Sequence, residues 1–253
     1  MSIKNLIIVI LLFSACSLGP EHYAKRGAHY AKKYGLKSWH LAEKNYDIAL
    51  KKGEPLSKIQ ADYNKVLMNM ATMYMYYKDY KNAEKYIDKS QKVIGVNYDN
   101  TVYRAILLIR TGKFKEGEAI ISDLESQGYH NKDILYALAT SRYLQKDYWG
   151  AAEYLLKIKD KYKDELRSNE IYYMLAFCYY QTKEYYQSLA VYNELLQKET
   201  LPFRKAKVAK NMATVYMALG NEVDAGKYLK MYEDYLKKYR RTTPRKWKKR
   251  SKR

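Results

Sequence analysis

Only 11 glycines and 4 prolines interrupt 253 residues. Turns recruit those two residues for backbone angles that others resist, so their scarcity argues against loop-rich and all-β folds. Cysteine is rarer still, at two, which a secreted chain could pair. Beyond the N-terminal segment no second long apolar run follows, and a bilayer-spanning helix needs about 20 such residues. No Gly-rich phosphate loop, nucleophile elbow or metalloprotease helix occurs, and the four histidines are His22, His29, His40 and His130. His22 and His29 share a helix face two turns apart at best, roughly 10 Å by helical rise, too far to share one metal without other ligands. The four read as surface or interhelix histidines. Glu43, Asp79, Glu84 and Glu153 sit in Lys-rich helical stretches at spacings that give solvated ion pairs. The expectation is no catalytic centre, no metal and no cofactor.

What remains is helix-forming. Scarce breakers with abundant Ala, Leu, Lys, Glu and Met point to helices, and the length suffices for a sizeable core. Tyrosine occurs 30 times, and 47 Lys and Arg against 27 Asp and Glu leave a net charge of +20.

The N-terminus begins with a positive charge at Lys4 and an uninterrupted apolar run from Leu6 to Phe13. A charged start, a short apolar stretch and the small residues Ser14 and Ala15 make a secretory signal; an uncleaved N-terminal anchor is the other reading. Phe13-Ser14-Ala15-Cys16 resembles the lipobox of bacterial lipoproteins, with Phe13 where that family usually carries Leu. The resemblance implies a signal peptide over 1–15, lipidation of Cys16 and a short linker over 16–22. Ser17, rather than Asp, then implies the outer membrane, periplasmic face, where the host has two membranes. With Cys16 acylated, Cys178 is left unpaired in an apolar context, Met174-Leu175-Ala176-Phe177-Cys178-Tyr179, and reads as a small buried hydrophobe.

The rest of the chain repeats. Leu67-Met68-Asn69-Met70-Ala71-Thr72-Met73-Tyr74 followed by Lys78-Asp79-Tyr80-Lys81-Asn82-Ala83 has strong echoes around Lys146-Asp147-Tyr148 and Lys183-Glu184-Tyr185. Units set at Asn64, Tyr98, Lys132, Asn169 and Ala206 place a small residue at the eighth position every time: Ala71, Ala105, Ala139, Ala176 and Ala213. The twentieth is Ala83, Gly117, Ala151, Ser188 and Ala225. Small residues are needed where the backbones of a helix pair cross most closely, and large ones such as Leu67, Tyr80, Tyr148 and Leu155 fill the space around them.

This pattern resembles the tetratricopeptide repeat, an antiparallel helix pair of 34 residues. The resemblance implies an all-α solenoid, a right-handed superhelix of five to six helix pairs over 23–239, with units near 23–56, 64–97, 98–131, 132–165, 169–202 and 206–239. The first unit is the weakest, because Tyr30 takes the small position and Gly27 and Gly35 reduce helicity. In the last, Glu222 replaces the aromatic found at Tyr80, Phe114, Tyr148 and Tyr185. Each pair buries its apolar face only against its neighbours.

The same resemblance implies a concave groove lined by the first helix of each unit. Carried onto this chain, the groove positions include Met75, Tyr76, Ile106, Arg110, Tyr136, Tyr143, Tyr173, Phe177, Tyr180, Lys207 and Lys210. The expected ligand is an extended or helical segment of another envelope protein; the alternative is that these side chains merely pack between helices. Lipoproteins that join such an anchor to tetratricopeptide repeats support barrel assembly or pilus and secretion machines, so the implied function is a lipid-anchored scaffold or adaptor.

From Lys237 to Arg253 there are 11 Lys or Arg in 17 residues and no acid. Segment 240–253, with Arg240, Arg241, Arg245, Lys246, Trp247, Lys248, Lys249 and Arg250, reads as a disordered basic tail. Such a tail is either a solvated solubilising segment or a contact for an anionic membrane or glycan surface, to which Trp247 adds an interfacial aromatic. Nucleic acid would also attract it, but an exported protein meets little.

Overall fold

The computed structural model describes residues 18–162 and 169–242. The expected signal, Cys16 and the tail residues Arg245, Lys246, Trp247, Lys248, Lys249 and Arg250 lie outside the described residues. Twelve helices occupy the described chain: α1 Pro20–Ala31, α2 Leu36–Lys51, α3 Leu56–Tyr76, α4 Tyr80–Ile94, α5 Tyr98–Arg110, α6 Phe114–Ser126, α7 Lys132–Leu144, α8 Tyr148–Lys161, α9 Glu170–Gln181, α10 Tyr185–Lys198, α11 Pro202–Ala218 and α12 Glu222–Thr242. They form six successive hairpins. The chain divides into two compact units, the first ending at Leu124 and the second starting at Glu125, both inside α6.

The small residues sit where the repeat pattern requires them. Ala71, Ala105, Ala139 and Ala176 are fully buried and Ala213 nearly so, as are Ala83, Ala151, Ser188 and Ala225. At Gly117 a side chain would not fit: a Cβ there would stand 2.6 Å from Ile109 Cγ1 and 2.9 Å from the Ala105 carbonyl oxygen. The two helices of that hairpin therefore approach more closely than alanine allows.

A shared turn closes five of the hairpins. Lys78, Gly112, Lys146, Lys183 and Gly220 all have positive φ, between 60° and 86°. In each, the next residue donates its N–H back across the end of the first helix, as Asp147 does to the Arg142 carbonyl at 2.9 Å and Glu184 to that of Tyr179 at 2.8 Å. Such left-handed caps satisfy carbonyls that the helix end leaves open. Asp79 and Asp147 then cap the following helix, accepting from the N–H of Asn82 at 3.2 Å and of Gly150 at 3.0 Å. One tight loop thus stops a helix and starts its antiparallel neighbour.

Helix boundaries differ from the expected units in several places. α3 starts at Leu56, well before Asn64, because Ile59 and Tyr63 are buried and extend its apolar face. α1 begins at Pro20 and α11 at Pro202, each proline lying in the first turn, where its missing N–H costs nothing. Gly27 is a packing residue: a Cβ there would meet the Tyr46 ring at 2.6 Å. α12 continues to Thr242, so Arg240 and Arg241 are helical and do not belong to a disordered tail.

In the first unit a buried polar cluster ties hairpins together. Ser90 donates to Asn64 at 2.6 Å and accepts from Asn100 at 3.0 Å, while Asn64 donates to Asp99 at 2.9 Å. In the second unit Glu194 of α10 accepts from Lys159 of α8 and from Lys198, both at 2.9 Å.

Candidate partner-binding face

In the second unit Tyr136 and Tyr143 of α7, Tyr173, Phe177 and Tyr180 of α9, and Lys207 and Lys210 of α11 recur at three-, four- and seven-residue spacings along their helices. Two neighbouring hairpins bring their rings into one run. Tyr143 lies 5.9 Å from Tyr148 and 5.7 Å from Phe177, Phe177 lies 5.8 Å from Tyr148 and 6.5 Å from Tyr180, and Tyr180 lies 5.9 Å from Tyr185. All five rings are half-buried, and tilted or edge-on pairs at such separations are favourable aromatic geometry. Tyr148 and Tyr185 are members of the run that the groove positions of the repeat do not include. As the first residues of α8 and α10 they read from sequence only as filling the hairpin, although their recurrence one repeat apart is a usable signal.

Polar contacts flank the aromatic run. Tyr136 donates to Glu170 at 3.0 Å, and Tyr173 donates to the Arg204 carbonyl at 3.3 Å. The Lys207 ammonium stands 4.6 Å from the centre of the Tyr173 ring, and that of Lys210 stands 6.0 Å from Tyr232. Burial, helped by the charge of Glu199, pushes the Tyr173 phenol up to about 12. Burial, with Cys178 and Tyr148 contributing, also raises Tyr143. The Tyr173 phenol is therefore a neutral donor at physiological pH. Cys178, directly behind this face, is fully buried, and burial followed by the Asp147 charge drives its thiol up to about 12. It is an inert hydrophobe, as its context suggested.

The first unit treats its expected groove residues differently. Tyr76 is 72% exposed, beside the exposed Tyr77 at a ring separation of 5.5 Å. Arg110 is half-buried at the end of α5. Met75 and Ile106 are buried at 3% and 5% exposure, so they belong to the core and offer no surface to a partner. For Ile106 the cause is the packing of α5, whose Val102, Ala105, Leu107 and Ile109 are buried with it; Met75 is buried with Met68 and Ala71 of α3.

His40 is an interhelix residue. Its Nε2 lies 3.1 Å from the Tyr74 hydroxyl and its Nδ1 3.3 Å from Glu43, while Lys89 donates to Glu43 and Asp47 at 2.7 Å each. Tyr63 also donates to Asp47. Glu43 is thus part of a matched cross-hairpin network, not a solvated helix-face pair. Among the described residues no group of three or more His, Cys, Asp or Glu is placed to hold a metal ion.

No family model matches the sequence, and no curated protein matches it. Solved structures do. A structure titled MamA D159K mutant aligns over 70% of this chain and 96% of its own, at 15% identity and a TM-score of 0.50. A second MamA structure, from AMB-1, aligns over 74% and 95% at 13% identity and a TM-score of 0.51. The APC/C hetero-tetramer Cut9-Hcn1 aligns over 91% of this chain and 51% of its own, at 12% identity and a TM-score of 0.54. These are tetratricopeptide-repeat proteins. The fold is a tetratricopeptide-repeat solenoid. Its repeat units are the hairpins above, and their first helices supply most of the aromatic run.

Proposed function

We propose that the protein is a non-enzymatic scaffold that holds a segment of another protein on the aromatic face of its second unit. The observation that carries this reading is the run Tyr148–Tyr143–Phe177–Tyr180–Tyr185, half-exposed and continuous across two hairpins. Rings already fixed by their neighbours lose little freedom when a partner covers them, which is how aromatic anchors come to dominate binding energies. Lys207 and the Tyr136–Glu170 pair supply polar contacts at its margin.

The lipobox-like Phe13–Cys16 stretch supports an anchored form of this scaffold, with the mature chain starting at an acylated Cys16 in the bacterial envelope. Each buried methylene adds about 0.8 kcal/mol of membrane affinity, so acyl chains would hold the protein at the membrane while the repeats recruit the partner to an assembly machine. Mass spectrometry of the N-terminal peptide tests the anchor: an unmodified Met1 or a free Cys16 thiol in the membrane fraction overturns it.

Co-purification from detergent-solubilised membranes tests the groove. Truncating an anchoring aromatic costs about 2 kcal/mol or more, roughly thirtyfold in affinity. Tyr143→Ala with Tyr180→Ala is expected to abolish capture while the helical circular dichroism and cooperative melting persist. Undiminished capture by the folded double variant overturns the proposal.

A further inference from the structure

Within the second unit, α11 and α12 run antiparallel, so the start of α11 meets the end of α12. Phe203 packs against Tyr239 at 5.6 Å, and the Lys205 ammonium stands 5.9 Å from the Tyr235 ring, while Tyr216 stacks on Tyr228 at 5.3 Å towards the turn. The open end of this hairpin is unusual in its charge. Residues 201–210 carry Arg204, Lys205, Lys207 and Lys210 without an acid, and residues 235–242 carry Lys237, Lys238, Arg240 and Arg241 without an acid.

The neighbouring carboxylates Glu199, Glu233 and Asp234 offset only part of this charge. Glu199 is 4% exposed and committed to Asn169 at 2.6 Å and to the N–H groups of Thr200 and Leu201 at 2.9 and 3.0 Å, with Arg204 at 3.8 Å. Asp234 pairs with Lys237 at 3.6 Å. Among the cations Leu201, Phe203 and Tyr239 remain 43%, 44% and 39% exposed. One exposed apolar side chain is ordinary; three at one cationic end mark a contact surface.

We propose that this folded end of the last hairpin docks on an anionic lipid bilayer. Arg204, Lys237, Lys238, Arg240 and Arg241 meet lipid phosphates, and Leu201, Phe203 and Tyr239 enter the headgroup region. Charge selects an anionic surface, and guanidinium groups suit phosphate oxygens. Leu201 selects the bilayer over nucleic acid, because it has no π-face to stack on a base and gains only by entering an apolar layer. The site belongs to the folded hairpin; the basic residues 243–253 lie outside the described residues and are no part of it. The reading is independent of the aromatic partner face.

The test is vesicle co-sedimentation of residues 16–253, which keep every described helix, with Cys16→Ser to remove any acyl chain. Binding is expected to phosphatidylglycerol-containing vesicles, weakening steeply with salt, and not to pure phosphatidylcholine. Near an anionic surface each Lys or Arg is worth about fivefold in affinity, so Arg240→Glu with Arg241→Glu lowers binding by about 25-fold or more. Leu201→Ser with Phe203→Ser lowers it by about tenfold, and a Tyr239→Trp reporter, placed in a Trp247→Phe background, shifts its emission to the blue on binding. Removing 243–253 weakens binding without abolishing it. Three results overturn the proposal: no binding to anionic vesicles, binding that disappears with 243–253 yet ignores both surface variants, or equal affinity for duplex DNA that is insensitive to Leu201→Ser with Phe203→Ser. The substituted residues are exposed, and matching circular dichroism confirms that each variant is folded.

Discussion

Lys146 and Lys183 hold the same left-handed backbone conformation at equivalent points of two successive repeats, with φ 64° at each. In the turns closing α5 and α11 the equivalent residue is glycine, Gly112 at φ 86° and Gly220 at φ 73°. A side chain in this region costs about 1–2 kcal/mol, partly offset because glycine is freer in the unfolded chain. Lys146→Gly with Lys183→Gly is therefore expected to stabilise by about 0.5–1 kcal/mol per site, about 1–2 kcal/mol in all, and to raise the Tm by about 2–8 °C. Gly112→Ala is expected to destabilise by about 1 kcal/mol. Thermal melts check both, and an unchanged or lowered Tm in the double glycine variant refutes the strain argument.

A second prediction sets one substitution against two environments. Gly117→Ala would force a methyl to within 2.6 Å of Ile109 and 2.9 Å of backbone oxygen. The overpacking cost, about 1–3 kcal/mol, exceeds the gain in helix propensity of about 1 kcal/mol. At Gly226, in α12, an added methyl would meet nothing within 4 Å, so Gly226→Ala keeps only the propensity gain. Urea midpoints should move in opposite directions; a shift of the same sign in both would contradict the close approach at Gly117.

The third prediction concerns pH. Burial works against ionisation of Glu194, yet hydrogen bonds and charge from Lys198 and Lys159 overcome it and lower the carboxyl from 4.5 to about 2. An acid depressed in the folded state holds fewer protons there than in the unfolded chain, so stability rises with pH across that interval. The contribution is complete above 4.5 and drains as pH falls toward 2. Glu194→Gln is expected to be less stable than the native chain near neutrality and to lose less between about pH 6 and about pH 3. Denaturant midpoints over that range decide it, and parallel curves for the two proteins would show that Glu194 contributes no such term.

The sequence by itself determined the repeat and its register. Ala71, Ala83, Ala139, Ala151 and their equivalents recur at spacings that only a stacked helix hairpin requires, and every alanine among them is buried. That information is local and periodic, so it survives in one dimension. The tyrosines and phenylalanine of the α9 stripe were legible too, because helical spacing puts Tyr173, Phe177 and Tyr180 on one side without reference to the rest of the chain.

Tertiary structure alone decided which of the expected groove residues have any surface to offer. Met75 and Ile106 occupy the same kind of repeat position as Tyr180 and Phe177, yet they are buried and the latter pair is not. It also decided that Tyr148 and Tyr185 complete the aromatic run, that Gly27 presses on Tyr46, and that Phe203 and Tyr239, far apart in sequence, share one cationic end. The physical reason is common to all of these. A side chain's helical phase is set by its own segment, whereas its exposure is set by which other segments cover it, and those contacts exist only once the hairpins have packed.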